Sequence, residues 1–411
     1  MRNPVIRVAL GVGALILGGL VAGTTAAADA AATQHTNQSW HSVRVCGATG
    51  SPTIARCDAV KLVRDGTRPG GNGHGGGGGG GGTGGVSGSP SGMTPTDLRG
   101  AYNLTGTSGG TVAIVDAYGY PSLERDLGVY RAQFGLPSCT TSNGCLEIIN
   151  QSGGTSLPRF NSGWAGEQAL DVDAVSAICP GCHILVVQAS SASIANLGTA
   201  AATAAKQSGV VAISNSYGGG DLSDATYGSY YNHPGIAVTA STGDNGYQGA
   251  SFPASSSYVT AVGGTTLKKA SNTRGWSETA WSGSGSGCST VNAAIAPSSM
   301  TGCSKRAIAD VAAAADPNNG GMAVVFPSTS TSSSWTQVGG TSESSPIIAS
   351  VYALSGNTSG TANSIPYSHP GSLNDVTSGS NGTCPTSQWC HSGSGWDGPT
   401  GLGTPNGVGA F

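Results

Sequence analysis

Between residues 111 and 240 short apolar runs alternate with helical patterns, and this alternation limits the fold more than any other feature of the chain. Thr111-Val-Ala-Ile-Val-Asp116 reads as a buried strand, followed by an amphipathic helix over 122–134. A helix over 166–178 leads to a strand over 183–189, then to a helix within 193–206. Strands over 210–215 and near 236–240 complete the series. Repeated strand–helix–strand units of this kind predict an α/β fold with a mainly parallel sheet covered by helices on both faces. Sites in such folds lie at the carboxyl ends of strands, and Ser241-Thr-Gly-Asp244 directly follows one of those ends.

Composition narrows the class further. Of 411 residues, 69 are Gly and only 9% are charged, against about 25% in ordinary soluble domains. The net charge of −3 and the lack of any basic run exclude a nucleic-acid partner. Arg2 and Arg7 precede the apolar stretch 8–21, and Ala28-Asp-Ala30 ends a tract of small residues. That pattern predicts a signal peptide over 1–30 and a secreted product with no membrane partner after its removal. A short polar segment over 31–69, resembling a propeptide in its position, precedes a Gly-rich linker over 70–92. The unbroken run 75–82 makes this linker a flexible coil rather than a phosphate loop, since no Gly-Lys-Ser/Thr follows. Residues 93–411 are long enough for one large domain, read as a monomer.

Ten cysteines in an exported chain point to disulfides. They fall as close neighbours, Cys46/Cys57, Cys139/Cys145, Cys179/Cys182, Cys288/Cys303 and Cys384/Cys390, and five local bridges are the economical pairing. Cys179-Pro-Gly-Cys182 also fits a redox or zinc motif, although no second such motif or His cluster completes a zinc site.

Two stretches carry chemistry. Gly339-Gly-Thr-Ser342-Glu-Ser-Ser-Pro346, followed by Ile347-Ile-Ala349, opens what reads as a buried helix. Ser342 then sits at a helix N-terminus, where backbone N–H groups favour developing negative charge. A serine nucleophile needs a base, and none of the seven histidines lies in a suitable motif. Glu167 and Asp171 are spaced i, i+4 on one helix face and offer carboxylates in that role. Subtilisin-type chemistry would need Asp-Thr-Gly after the first strand and a His-bearing helix start. The strand here gives Asp116-Ala-Tyr118, so Asp116 reads as structural or as part of a local carboxyl network, and His183 as a core residue. Near the C-terminus, Asp375 and Asp397 flank Gly-rich turns, an oxygen-donor set suited to calcium.

Taken in order, several stretches resemble the sedolisins, serine-carboxyl peptidases with a subtilisin-like three-layer α/β/α fold. They include Val112-Ala-Ile-Val-Asp-Ala-Tyr118, the Glu167-x-x-x-Asp171 helix leading into Cys179-Pro-Gly181, and Ser214-Asn-Ser-Tyr-Gly218. Ser241-Thr-Gly-Asp-Asn-Gly246, Phe252-Pro-Ala-Ser255, Ala261-Val-Gly-Gly-Thr265, Ala309-Asp310, Gly340-Thr-Ser342 and Gly393-Ser-Gly-Trp-Asp397 continue the series over most of 94–411. The resemblance implies a secreted endopeptidase acting on protein or peptide substrates. Ser342 would be the nucleophile, Glu167 the base, Asp171 its orienting partner and Asp244 a protonated donor to the oxyanion. It also implies one structural calcium ion, held by the Asp375 and Asp397 side chains and the Val376, Gly393 and Gly395 carbonyls. A carboxyl-based site of this kind is expected to show a bell-shaped profile centred roughly between pH 3 and 5.

Two departures accompany the resemblance. Sedolisins carry a large folded propeptide, whereas about sixty residues separate signal and domain here. Glu343 stands where the family has a small or apolar residue, and its charge could tune the site or face solvent. The alternative from another class is an inactive homologue serving as a cell-surface or matrix binding protein, with the Gly-rich tract as tether.

Overall fold

The strand 111–117 alternates Val112 and Ile114 toward one core with Ala113, Val115 and Ala117 toward another, so every side chain from 112 to 115 is apolar and buried. This is the pattern of a strand covered on both faces. A computed structural model describes residues 39–65, 85–357 and 361–411. The signal peptide expected over 1–30, and residues 66–84 with most of the Gly-rich tract, lie outside the described residues.

The central sheet runs Trp276–Ala280, Thr260–Lys269, Ala237–Ser241, Val210–Asn215, Thr111–Ala117, His183–Ala189, Leu146–Asn150. Val311–Ala314 also pairs with Thr260–Lys269. Every pairing in it is parallel except that of Trp276–Ala280. The helix Ile194–Ala204 covers one face. The helices Ser162–Ile178 and Thr341–Ser355 cover the other and pack on each other. The expected three-layer architecture is therefore present, with elements within a few residues of their predicted bounds. His183 differs from expectation: it opens its strand at an exposed position and belongs to no core.

Helix Ser162–Ile178 is buried on all sides from Trp164 onward, so it behaves as a core helix rather than an amphipathic one. The Asn161 side chain caps it by accepting from the Trp164 N–H at 3.1 Å. Gly166 is required by close approach, because a Cβ there would lie 2.3 Å from Cζ of Phe326.

A second sheet orders Trp40–Arg44, Val60–Arg64, Ser333–Gly339 and Met322–Pro327, with Val86–Ser87 added along Ser333–Gly339. Arg56–Cys57 pairs separately with Tyr217–Gly218. Described residues of the 31–69 segment thus pack as strands on the large domain, and residues 39–411 form one compact unit. All five neighbouring cysteine pairs are bridged as expected. The bridge between Cys179 and Cys182 removes the zinc reading of that motif. Among the described residues Cys384, Cys390 and His391 lie together as a metal-like group, but these cysteines are also bridged to each other and offer no thiolate.

Candidate active site

The sheet order brings together residues far apart in the chain. Asp116 sits near the carboxyl end of its strand, and Ser216 just follows the end of Val210–Asn215. Asp244 follows Ala237–Ser241 within three residues. Above these ends lie Glu167 and Asp171 in one helix and Ser342 in the first turn of another. The four residues singled out from sequence as catalytic candidates converge here, all buried.

Ser342 is positioned by backbone geometry. Gly340 caps its helix at φ +102°. A Cβ there would stand 2.1 Å from the Asp58 carbonyl oxygen and 2.8 Å from Asp244 Oδ2, so only glycine fits. Pro346 lies inside the helix and has no N–H to give to the Ser342 carbonyl four residues back. That carbonyl instead faces the Ser216 hydroxyl at 3.3 Å. The Ser342 hydroxyl donates to the Ser216 carbonyl at 3.1 Å.

The carboxyl groups form a buried acidic cluster. The Ser216 hydroxyl also donates to Asp171 Oδ1 at 2.9 Å, while Asp171 Oδ2 and both oxygens of Glu167 and Asp116 lack hydrogen-bond partners. Burial raises the Glu167 carboxyl well above the ordinary Glu range; Asp171 and Asp116 add to this by repulsion, and the adjacent Ser342 hydroxyl opposes it. Burial likewise raises Asp171, reinforced by Asp116 and opposed by Ser216. Asp116, itself raised by burial, repels both carboxyls, which fits the second of the two readings the sequence left open, structural residue or network member.

Asp244 stands opposite. Its Oδ1 accepts from the Thr341 N–H at 2.8 Å and the Thr341 hydroxyl at 2.9 Å, and its Oδ2 has no partner. Burial first, then repulsion from Asp58, raises its pKa to about 8 against the Thr341 hydrogen bonds and Arg44. The carboxyl is therefore neutral at acidic pH, with an O–H free to donate from Oδ2.

Sequence reading passed over Ser216, Thr341, Arg44 and Asp58 as participants. Ser216 and Thr341 lie inside stretches it quoted, but nothing in their local pattern marks Ser216 as a bridge between the two helices or Thr341 as a donor to Asp244. Glu343, in contrast to one expectation, does not face solvent: it is fully buried, and burial raises its pKa with the Met322 amide opposing.

At the C-terminal loops, Asp375 Oδ2 accepts from the Gly395 N–H at 3.0 Å, and Asp397 Oδ2 from the Gly393 N–H at 3.2 Å. Asp397 Oδ1 accepts from the Thr400 N–H and hydroxyl, both at 2.9 Å. Burial raises Asp397 to about 7 against these hydrogen bonds. Two carboxylates and the 393–397 turn thus share one loop cluster made of hard oxygen donors, with a buried carboxylate held by hydroxyl and amide donors.

No family model matches the chain. Kumamolisin of a Bacillus species is 30% identical over 364 aligned residues covering 78% of this chain, which spans 63% of kumamolisin's length. A tripeptidyl-peptidase of Aspergillus fumigatus is 28% identical over 228 residues, 42% of this chain and 34% of that protein. Among solved structures, Pseudomonas sedolisin, a serine-carboxyl proteinase complexed with two molecules of pseudo-iodotyrostatin, superposes with a TM-score of 0.63 at 24% identity. That match covers 78% of this chain and 96% of the other. Sphericase superposes with a TM-score of 0.50 at 16% identity over 75% of this chain and 96% of its own.

Proposed function

The chain belongs to the sedolisin family, and from that premise we propose that it is a secreted serine-carboxyl endopeptidase that hydrolyses protein or peptide substrates at acidic pH. The observation that carries this reading is the convergence of Ser342, Glu167, Asp171 and Asp244 at the carboxyl ends of the parallel strands, with no His among them.

Ser342 Oγ attacks the substrate carbonyl while its proton passes to Glu167, after the hydroxyl turns from the Ser216 carbonyl toward that carboxylate. One negative charge on the cluster of Glu167, Asp171 and Asp116 is enough to make the base. Asp171, one helical turn away and held by Ser216, orients Glu167 and keeps that charge from spreading into water. The tetrahedral oxyanion receives the Ser342 N–H and the neutral Asp244 Oδ2–H. Glu167 then returns its proton to the leaving amine, and water repeats the sequence on the ester.

The C-terminal oxygen set fits one structural calcium ion, with Asp375 and Asp397 side chains and the Val376, Gly393 and Gly395 carbonyls as ligands. The ion would supply positive charge to the buried Asp397 and close the loops; it takes no part in bond cleavage.

The test is casein hydrolysis at pH 4 by the wild type, Ser342→Ala and Glu167→Gln. Both variants are expected to lose at least about a thousandfold in rate, and their losses not to add, as members of one unit behave. A Ser342→Ala protein retaining a tenth of wild-type activity would remove Ser342 from the role, and an optimum near pH 8 would remove the carboxyl mechanism.

A further inference from the structure

Residues 56–61 pass through the site as an extended chain. Arg56 and Cys57 pair antiparallel with Gly218 and Tyr217, and Val60 and Lys61 pair with Gly339 and Val338 on the other side. Between these anchors the Asp58 N–H donates to the Ser216 carbonyl at 3.2 Å, and the Asp58 carbonyl accepts from the Ser342 N–H at 3.1 Å. Ser241, at the end of its strand, donates to Asp58 Oδ2 at 2.8 Å. Asp58 also lines the cleft formed by Gly218, Thr242, Ser251 and Gly285.

Each contact is one that a bound substrate needs. Strand addition to Tyr217–Gly218 supplies the main-chain hydrogen bonds that hold a peptide in extended form. The nucleophile's own N–H points at the carbonyl oxygen it would polarise. The point above Gly340, where a Cβ would meet both Asp58 O and Asp244 Oδ2, puts the same oxygen on the side of the proposed oxyanion acid. The Asp58 side chain, held by Ser241, lines the cleft next to the bond.

We propose that the Asp58–Ala59 peptide bond is a self-cleavage site, seated as the first substrate of its own chain; this rests on the peptidase reading above. Ser342 Oγ bonds to the Asp58 carbonyl carbon and its proton goes to Glu167. The carbon–nitrogen bond to Ala59 breaks, and the nitrogen takes that proton to leave as a free amine. Water then adds to the Asp58–Ser342 ester, restoring the Ser342 hydroxyl and leaving Asp58 with a terminal carboxylate. No other reactant is needed.

The segment is also built to stay after the cut. Trp40–Arg44, on the N-terminal side of the bond, pairs over five positions with Val60–Arg64 on its C-terminal side. The Val45 N–H donates to the Ala59 carbonyl at 2.9 Å, and the Cys46–Cys57 bridge ties the residue before Asp58 to the same hairpin. Arg44 donates to the Asp244 carbonyl at 2.6 Å and to Asn245 Oδ1 at 2.5 Å. The cleaved segment therefore keeps the cleft covered until this ladder opens.

The experiment takes the full chain, wild type and Ser342→Ala, from neutral buffer to pH 4 at two protein concentrations tenfold apart. N-terminal sequencing and intact mass follow the chain, and casein hydrolysis is read on the same samples. The expected result is a new N-terminus at Ala59 in the wild type only, appearing at the same first-order rate at both concentrations, with casein activity rising after the cut as the segment ending at Asp58 leaves the cleft. Casein hydrolysis with the 58–59 bond intact overturns this inference and leaves the peptidase reading standing. A rate that scales with concentration overturns the assignment to the chain's own site. Loss of both activities overturns both.

Discussion

Asp244→Asn separates the acid role of this residue from its structural one. The folded-state pKa of about 8 lies above the ordinary value of 3.8, so the folded protein binds a proton here that the unfolded chain has released. The stability this contributes is fully present below about pH 4 and is lost as pH rises through 8. Four units at about 1.4 kcal/mol each give roughly 6 kcal/mol, with a slope of about 1.4 kcal/mol per pH unit inside the window. Asn can accept from Thr341 through its oxygen and donate from its nitrogen where the acid's O–H stands, without titrating. In a Ser342→Ala background, which prevents self-digestion, urea unfolding at pH 4, 5, 6 and 7 measures both slopes. The Asn variant is expected to lose about 1.4 kcal/mol less per pH unit than its parent. On the otherwise wild-type chain its alkaline limb of activity moves upward, since an amide donates at any pH. Parallel stability curves for the two proteins would refute the buried, protonated state of Asp244.

Three further outcomes follow from the same geometry. Gly340→Ala, at φ +102° with Asp58 O only 2.1 Å from the added Cβ, is expected to lower urea stability by about 2 kcal/mol or more; an unchanged midpoint would show that the cap can relax. Asp397→Ala, or a strong chelator, is expected to lower the melting temperature and hasten self-digestion, and equal melting in metal-free and millimolar-calcium buffers would remove the calcium site. Departure of the cut segment removes the Asp58 charge that helps raise Asp244 and Glu167, so both should titrate lower once it has left. Carboxyl NMR titrations of uncut Ser342→Ala protein and of cut protein freed of the segment check this; coincident titrations would contradict it.

The strands and helices of the central layer were legible because a chain buried on both faces must be apolar without interruption, as at 112–115 and 184–187. The five bridges were legible because each closes a loop of 15 residues or fewer. Ser342, Glu167, Asp171 and Asp244 could be picked out because each lies in a short local pattern: a helix opening, an i, i+4 pair, a strand end. Their meeting could not be read from those patterns, since it depends on a strand order that places 237–241 beside 210–215 and 210–215 beside 111–117. Asp116 and Ser216 matter only through that order, which sets a third carboxyl and a shared hydroxyl between two helices. His183 misled because an apolar strand was read as buried to its first residue, whereas strand ends reach solvent. Asp58 is the furthest case. Composition sets its segment apart as a short polar stretch, and only the pairing of 56–57 with 217–218 and of 60–61 with 338–339 turns it into a chain lying across the nucleophile. Local physics thus fixed which pieces form and which side chains are chemically apt; long-range strand pairing decided which of them face one another, because hydrogen bonds between distant strands leave no period in the sequence.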